Sequence, residues 1–468
     1  MTGKRKRKLA MPDTLIIVAS VVLLVAILSW IIPSGTYDYQ EMNINGRIRN
    51  VAIDGTYHTI DKSEVTTTGF LGFFSVLYRG CVEAADVIFM ILCCCGTFGV
   101  VVKTGAFHAG IGTILKKLKG KEILLVPIIM MIFGLGGSVF GMASEFYGFY
   151  PLIVGLGVAL GYDAMFGFAI IAVGEFVGFM GATLNPYSVG IAQTISGVEL
   201  YSGTGYRAIC FVIFMAISII YVMVYGRKIK KNPGASVVFG EKNIHAFDRD
   251  ELNEYSFTLK DGLVLLDVLV VLVVLMLGLI KWGWDFPQLC GLFLLMSMIA
   301  AAICKWSPNK WCSEFIDSAK TAMWGCILTG IAKAITVVMQ DAQIMDTVIY
   351  GLSNVLKKAP HAVSAQVMLV VQTLINFFIP SATGQASATM PIMAQLADII
   401  GVSRQTAVLA FQFGDGLSNI FWPTADIVII CGLGGISLQK WYKWFTPLFL
   451  ILFVTQAILL GIATGIGF

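Results

Sequence analysis

LINFFIPSATGQASATMPIMAQLADIIGVSRQTAVLAFQFGDGLSNIFWPTAD, running from Leu374 to Asp426, decides the fold. Two apolar arms flank a small polar tip, Pro380-Ser381-Ala382-Thr383-Gly384-Gln385. A third apolar segment is interrupted at Gly414-Asp415-Gly416, Ser418-Asn419 and Pro423. Lipid tolerates interrupted backbone only where protein or a water-filled cavity satisfies the freed N–H and C=O groups. Polar tips and broken helices at mid-membrane depth are how secondary transporters build a substrate site.

The first half of the chain carries a counterpart. A shift of 240 residues (391 − 151) sets Pro151 on Pro391, Gly161 on Gly401, Gly174 on Gly414 and Glu175 on Asp415. A three-residue adjustment then sets Pro186 against Pro423, which makes Asn185-Pro186 the second break. Leu115-Lys116-Lys117 precedes one hairpin as Leu356-Lys357-Lys358 precedes the other. Landmarks kept in fixed order predict an internal repeat.

Composition agrees with a polytopic membrane protein. Hydrophobic residues make up 57% and charged residues 13% of 468, and mean hydropathy is +0.82. Those values exclude a soluble globular chain. The net charge of +4 decides little. The ten cysteines, Cys93-Cys94-Cys95 among them, show no CxxC spacing and read as apolar filler. No phosphate-binding glycine loop supports ATP-driven pumping.

Read in order, the chain divides into six parts. Residues 1–33 hold the basic cluster Lys4-Arg5-Lys6-Arg7-Lys8 and a first span, with a cytoplasmic N-terminus. Residues 34–68 read as a polar outer loop. Residues 69–226 form the first repeat, with an interfacial piece at 69–83 and a hairpin at 123–160 entering from the cytoplasm. Residues 227–261 are a cytoplasmic linker. Residues 262–320 supply scaffold helices and an interfacial helix. Residues 321–468 form the second repeat, whose hairpin (about 362–400) enters from outside, and the chain ends outside. Nine spans and two opposed hairpins result, so the repeats are inverted. Lysine and arginine placement follows the positive-inside rule, with Lys116, Lys117, Lys119 and Lys121 inside and Lys357-Lys358 as the exception. Trp282, Trp284 and Trp441 read as interfacial anchors.

Glu175 lies twelve residues beyond Asp163, and Asp415 twelve beyond Ser403. At a 1.5 Å rise, both sit roughly 18 Å into a core of about 30 Å. A charge there costs at least about 2.5 kcal/mol, so it faces a cavity or a partner. The alternative is a carboxylate that merely ties down helix ends. Residues 136–197 contain Glu145, Asp163 and Glu175 and no base, while residues 372–433 contain Asp398, Asp415, Asp426 and one base, Arg404. Asp163, Asp398 and Arg404 belong at interfacial turns. Glu145, Glu175, Asp415 and Asp426 then lack a basic partner, with Lys333 the one outside candidate. A cationic substrate, a coupling ion or protons must compensate them. Glu175, Asp415 and Asp426 are the candidates for cation handling.

Half-helix N-termini suit a carboxylate, and their C-terminal ends suit a cation. Ser144, Glu145, Asn185, Ser381, Thr383, Gln385, Asp415, Asn419 and Thr424 are the candidate substrate-binding residues. Several of them can instead simply cap helix ends. The histidines His58, His108, His245 and His361 lie away from this site, which argues against an intramembrane hydrolase. An ion channel would differ from a carrier in showing no saturable counterflow.

The stretches at 381–391, 401–416 and 185–193, with Trp-Ile-Ile-Pro-Ser-Gly-Thr-Tyr at 30–37, resemble the YfcC-like family. That family is grouped with the ArcD-type basic amino-acid antiporters and the anaerobic C4-dicarboxylate carriers, within the ion transporter superfamily. The resemblance covers nearly the whole chain. It implies an all-α polytopic membrane protein of two inverted repeats, each with a re-entrant hairpin and a broken transmembrane helix, working as a dimeric elevator. The divalent-anion symporters of the superfamily carry Ser-Asn-Thr at both tips, whereas this chain has Ala-Ser-Glu and Ser-Ala-Thr-Gly-Gln. The expectation is therefore a secondary transporter of basic amino acids (arginine, ornithine or lysine) in a bacterial inner membrane. It would work by exchange or with Na⁺ or H⁺ as coupling ion, with no cofactor, no resident metal and no nucleic-acid partner. The alternative is a Na⁺- or H⁺-coupled carboxylate carrier of the same fold.

Overall fold

A computed structural model describes residues 12–44, 47–118, 122–241, 245, 256–356, 358, 360 and 363–468. The basic cluster at residues 4–8, Lys119, Lys121, Lys357, His361 and most of the linker beyond 241 lie outside the described residues.

Apolar runs and caps fix the helices. α1 (Thr14–Ile31) starts at Asp13, whose carboxylate accepts the Leu15 N–H at 2.9 Å. A bent pair, α2 (Phe70–Glu83) and α3 (Ala85–Lys103), is followed by α4 (Ala106–Leu118). The first hairpin has arms α5 (Leu125–Leu135) and α6 (Tyr150–Ala159). A π turn at Gly136–Phe140 and a 3₁₀ segment at Ser144–Phe149 make its tip. Gly141 turns the chain there at φ +68°, which a side chain would resist. The arms meet again at their open end, where Leu125 and Leu156 pack with Ile111, Ala159 and Leu160.

The first broken helix is α7 (Ala164–Met180) and α8 (Val189–Ile195), followed by α9 (Thr204–Lys231). Then come α10 (Leu259–Lys281) and α11 (Phe286–Ile303), with a second bent pair, α12 (Pro308–Lys320) and α13 (Met323–Asp341), and α14 (Met345–Leu356). The second hairpin has arms α15 (Ser364–Phe378) and α16 (Ala382–Ile399). The second broken helix is α17 (Arg404–Ser418) and α18 (Asp426–Gly434), and α19 (Leu438–Gly465) is the last helix. Among the described residues, seven helices are long and apolar enough to cross a membrane. Ala164–Met180, the first part of the first broken helix, is a shorter apolar helix.

The two bent pairs interlock, α2 against α13 and α3 against α12. A Cβ on Gly80 would stand 2.4 Å from the Gly330 carbonyl oxygen, so backbone meets backbone there. α1 lies against α13, and α11 against α3. Each hairpin packs on the broken helix of its own half, and α7 packs on α17.

The all-α expectation needs correction at residues 34–60. Four short strands form two antiparallel pairs, Ser34–Thr36 with His58–Ile60 and Tyr39–Ile44 with Arg47–Ala52. The segment is docked rather than loose. Buried Asp346 accepts the Thr36 hydroxyl (3.1 Å), the Tyr37 N–H (3.1 Å) and the Tyr39 hydroxyl (2.8 Å). Burial, reinforced by Asp346, pushes the Tyr39 phenol above its ordinary range. Tyr57 stacks on Tyr350 with ring centroids 4.1 Å apart. We expect Asp346→Ala to release residues 34–60, because the buried Tyr37 N–H left unmatched costs about 1–3 kcal/mol and two further hydrogen bonds are lost with it. Limited proteolysis checks it. New cleavage confined to 34–60 is the expected pattern, and an unchanged pattern would show that tyrosine packing alone holds the segment.

Candidate functional site

The second break begins later than sequence placed it, whereas the first opens earlier, at residues 181–188, with Asn185-Pro186 inside it. α17 continues through Gly414-Asp415-Gly416 to Ser418, and the chain unwinds only at residues 419–425. Asp415 and Glu175 therefore stand inside helices, each about one turn before its break. α16 starts at Ala382, so Thr383 and Gln385 are helical, and the second tip shrinks to residues 379–381.

Asn376 is the hub of the second half. Its Nδ2 donates to Asp415 Oδ1 at 2.9 Å, Asn419 Oδ1 at 3.1 Å and Gln385 Oε1 at 3.2 Å. All four residues are buried. Three oxygens thus compete for the two hydrogens of one amide. Turning the amide over would set its own oxygen against the same three. Gln385 Nε2 donates to Gln372 Oε1 at 2.7 Å, and Thr389 joins Gln372 at 3.1 Å. Asp415 Oδ2 and Asn376 Oδ1 have no partner.

The second constellation crosses between halves. Tyr150 donates to Glu175 Oε2 at 2.8 Å, while buried Glu175 Oε1 has no partner. Tyr147 donates to Asp426 Oδ1 at 2.6 Å. Asp426 opens α18, where the helix dipole favours a negative charge. Lys333 is half-buried on α13 and forms no ion pair with these carboxylates. The partners of the acids are neutral hydroxyls and an amide.

The remaining candidates fasten backbone. Asn185 Oδ1 accepts the Tyr187 and Ser188 N–H groups at 2.9 and 3.2 Å, and its Nδ2 reaches the Gly137 carbonyl at 3.4 Å. Thr383 donates to the Tyr187 carbonyl (2.9 Å) and Thr424 to the Phe377 carbonyl (2.7 Å). Ser381 caps α16 through the Gly384 N–H. Glu145 folds back on the Ala143 N–H at 3.0 Å, which makes it a local cap. Ser144 lies half-buried beside it at the first tip. Trp441 is no interfacial anchor: it is buried and donates to the Ile420 carbonyl in the break at 2.8 Å. At the turn before α17, Arg404 pairs with Asp398 at 2.7 Å and holds that exposed carboxyl below its ordinary range.

Sequence reasoning missed Asn376, Gln372, Thr389, Tyr147 and Tyr150. Asn376 left a signal, as a lone amide in the apolar arm LINFF. The tyrosines left none, because a buried tyrosine in an aromatic run reads as core.

The YfcC protein of Escherichia coli (strain K12), whose name assigns it provisionally to basic amino acid antiport, is 32% identical over 502 aligned positions, covering 100% of this chain and 99% of that one. An uncharacterized protein of Haemophilus influenzae (strain ATCC 51907 / DSM 11121 / KW20 / Rd) is 27% identical over 506 positions, covering 99% of each. The Alcanivorax borkumensis YdaH transporter, whose crystal structure is described as having an unusual topology, aligns over 98% of this chain and 99% of its own, with 15% identity and a TM-score of 0.44. The model of the C4-dicarboxylate anaerobic carrier family, DcuC, matches residues 11–465, and the chain belongs to that family.

Proposed function

We propose that this protein is a secondary transporter of basic amino acids of the arginine, ornithine and lysine type. The buried oxygens left without a partner around Asp415 carry this reading. A cluster with unmatched buried oxygens at Asp415 Oδ2 and Asn376 Oδ1, and another at Glu175 Oε1, calls for a donor. A guanidinium or ammonium group supplies donors and positive charge together. A proton or Na⁺ would meet the same need as coupling ion. The substrate's carboxylate would meet the positive dipole ends where α8 and α18 begin, near Asn185 and Asn419.

In this reading the halves are inverted repeats and the hairpins move against a dimeric scaffold that includes α1 and α11. The chain sits in a bacterial inner membrane with its N-terminus inside and its C-terminus outside. The recurrence of bent pair, hairpin and broken helix in one order supports it. A carboxylate carrier is the second reading, favoured by the family's description. There the acids would serve the coupling cation alone.

Counterflow in proteoliposomes separates the two. Vesicles preloaded with unlabelled arginine are expected to accumulate labelled arginine, ornithine and lysine transiently and to ignore labelled succinate. Accumulation of succinate alone would replace the first reading with the second. Saturation of the counterflow would exclude a channel.

A further inference from the structure

Each hairpin reaches across to the broken helix of the opposite half, but by different chemistry. On one side, Thr383 of the second hairpin donates to the main-chain carbonyl of Tyr187, in the first break. On the other, Tyr147 of the first hairpin donates to the carboxylate of Asp426, at the end of the second break. Tyr147 is buried and Asp426 half-buried, so water has limited access to the bond between them. A carbonyl accepts a hydroxyl whatever ions are present. A carboxylate does so strongly only while ionised and unoccupied, because charge roughly doubles the strength of the bond.

We infer that Tyr147–Asp426 is a charge-dependent clasp between the halves, whereas Thr383–Tyr187 is charge-independent. Loading Asp426 with a proton, a metal cation or the cationic end of a substrate withdraws the strong acceptor from Tyr147. The first hairpin is then freed while the second stays fastened. Tyr147 thus acts as a positioning residue that lets one gate, and not the other, read the occupancy of the cation site. Tyr150 does not share this role, since its carboxylate partner Glu175 belongs to the same half and moves with it. The inference rests on the cation-handling reading of Asp426 but not on which substrate is carried.

Hydrogen–deuterium exchange of the full chain in lipid, read on peptides covering 136–149 and 379–387, tests it. Tyr147→Phe keeps the ring and removes the hydroxyl. It should speed exchange at the first tip about tenfold, the loss of one charge-assisted bond, and leave the second tip unchanged. Asp426→Asn keeps the shape and removes the charge, so it should speed the same tip, and adding it to Tyr147→Phe should produce no further change. Thr383→Val should speed only the second tip, by the same factor with or without Asp426→Asn. Parental exchange at the first tip in Asp426→Asn, or equal acceleration of both tips, would overturn the clasp. A failure of arginine counterflow with this pattern intact would overturn only the substrate assignment.

Discussion

In the proposed reading, Asp415→Asn is expected to lower uptake of a basic amino acid roughly 100-fold, while leaving a neutral analogue of similar length within about threefold of the parent protein. The size follows from removing one partner of a buried charge pair, a loss of about 3 kcal/mol or more. The substitution has a second consequence that separates function from structure. Asparagine at 415 brings two new N–H hydrogens into a cluster where three oxygens already share one amide. It can donate to the Asn376 oxygen that now lacks a partner, so the thermal midpoint of the protein should hold or rise as transport falls, the usual trade at a binding site. If Asp415 serves a coupling ion instead, all substrates lose their ion dependence alike. Unchanged affinity and ion dependence in both Asp415→Asn and Glu175→Gln, measured in proteoliposomes, would reduce these acids to structural elements.

Gly416→Val is expected to abolish transport and to destabilise the fold by about 3 kcal/mol or more, because the nearest atoms it meets are backbone that cannot yield. Even a Cβ at Gly416 would stand 2.4 Å from the Met180 Cα, at the crossing of the two broken helices. The same crossing carries the hydrogen bond from Gln412 Nε2 to the Phe179 carbonyl at 2.7 Å. Gly351→Val is the control, since nothing lies within 4 Å of a Cβ there. Thermal unfolding in detergent, followed by uptake in vesicles, reads both. A stable and active Gly416→Val would mean that the crossing is not the rigid centre of the site.

The broken-helix segments illustrate what a linear reading can locate. Proline and glycine at 414–423 mark an interruption, since neither continues a helix without cost. They do not mark where it begins. Packing against α7 and the second hairpin keeps α17 helical for one turn beyond Gly414. The two site acids consequently face the hairpin arms rather than an open loop. Glu145, the other unpaired acid of the first half, turns out to cap its own turn, and only its neighbouring hydrogen-bond geometry distinguishes it from Glu175.

The sequence by itself determined that the chain is apolar enough for a membrane, that hairpin and broken helix recur in each half, and that four acids lie in segments with a single base among them. These are one-dimensional facts: hydropathy runs, turn residues and charge sign along the chain. Only the tertiary structure decided what each acid touches. Asn376 and Asp415 are 39 residues apart, and Tyr147 and Asp426 are 279 apart. Contacts at such separations are set by how helices pack, which local propensity does not encode. The docking of residues 34–60 on Asp346 was hidden for the same reason, because a polar loop becomes a fixed element only when a distant carboxylate satisfies its donors.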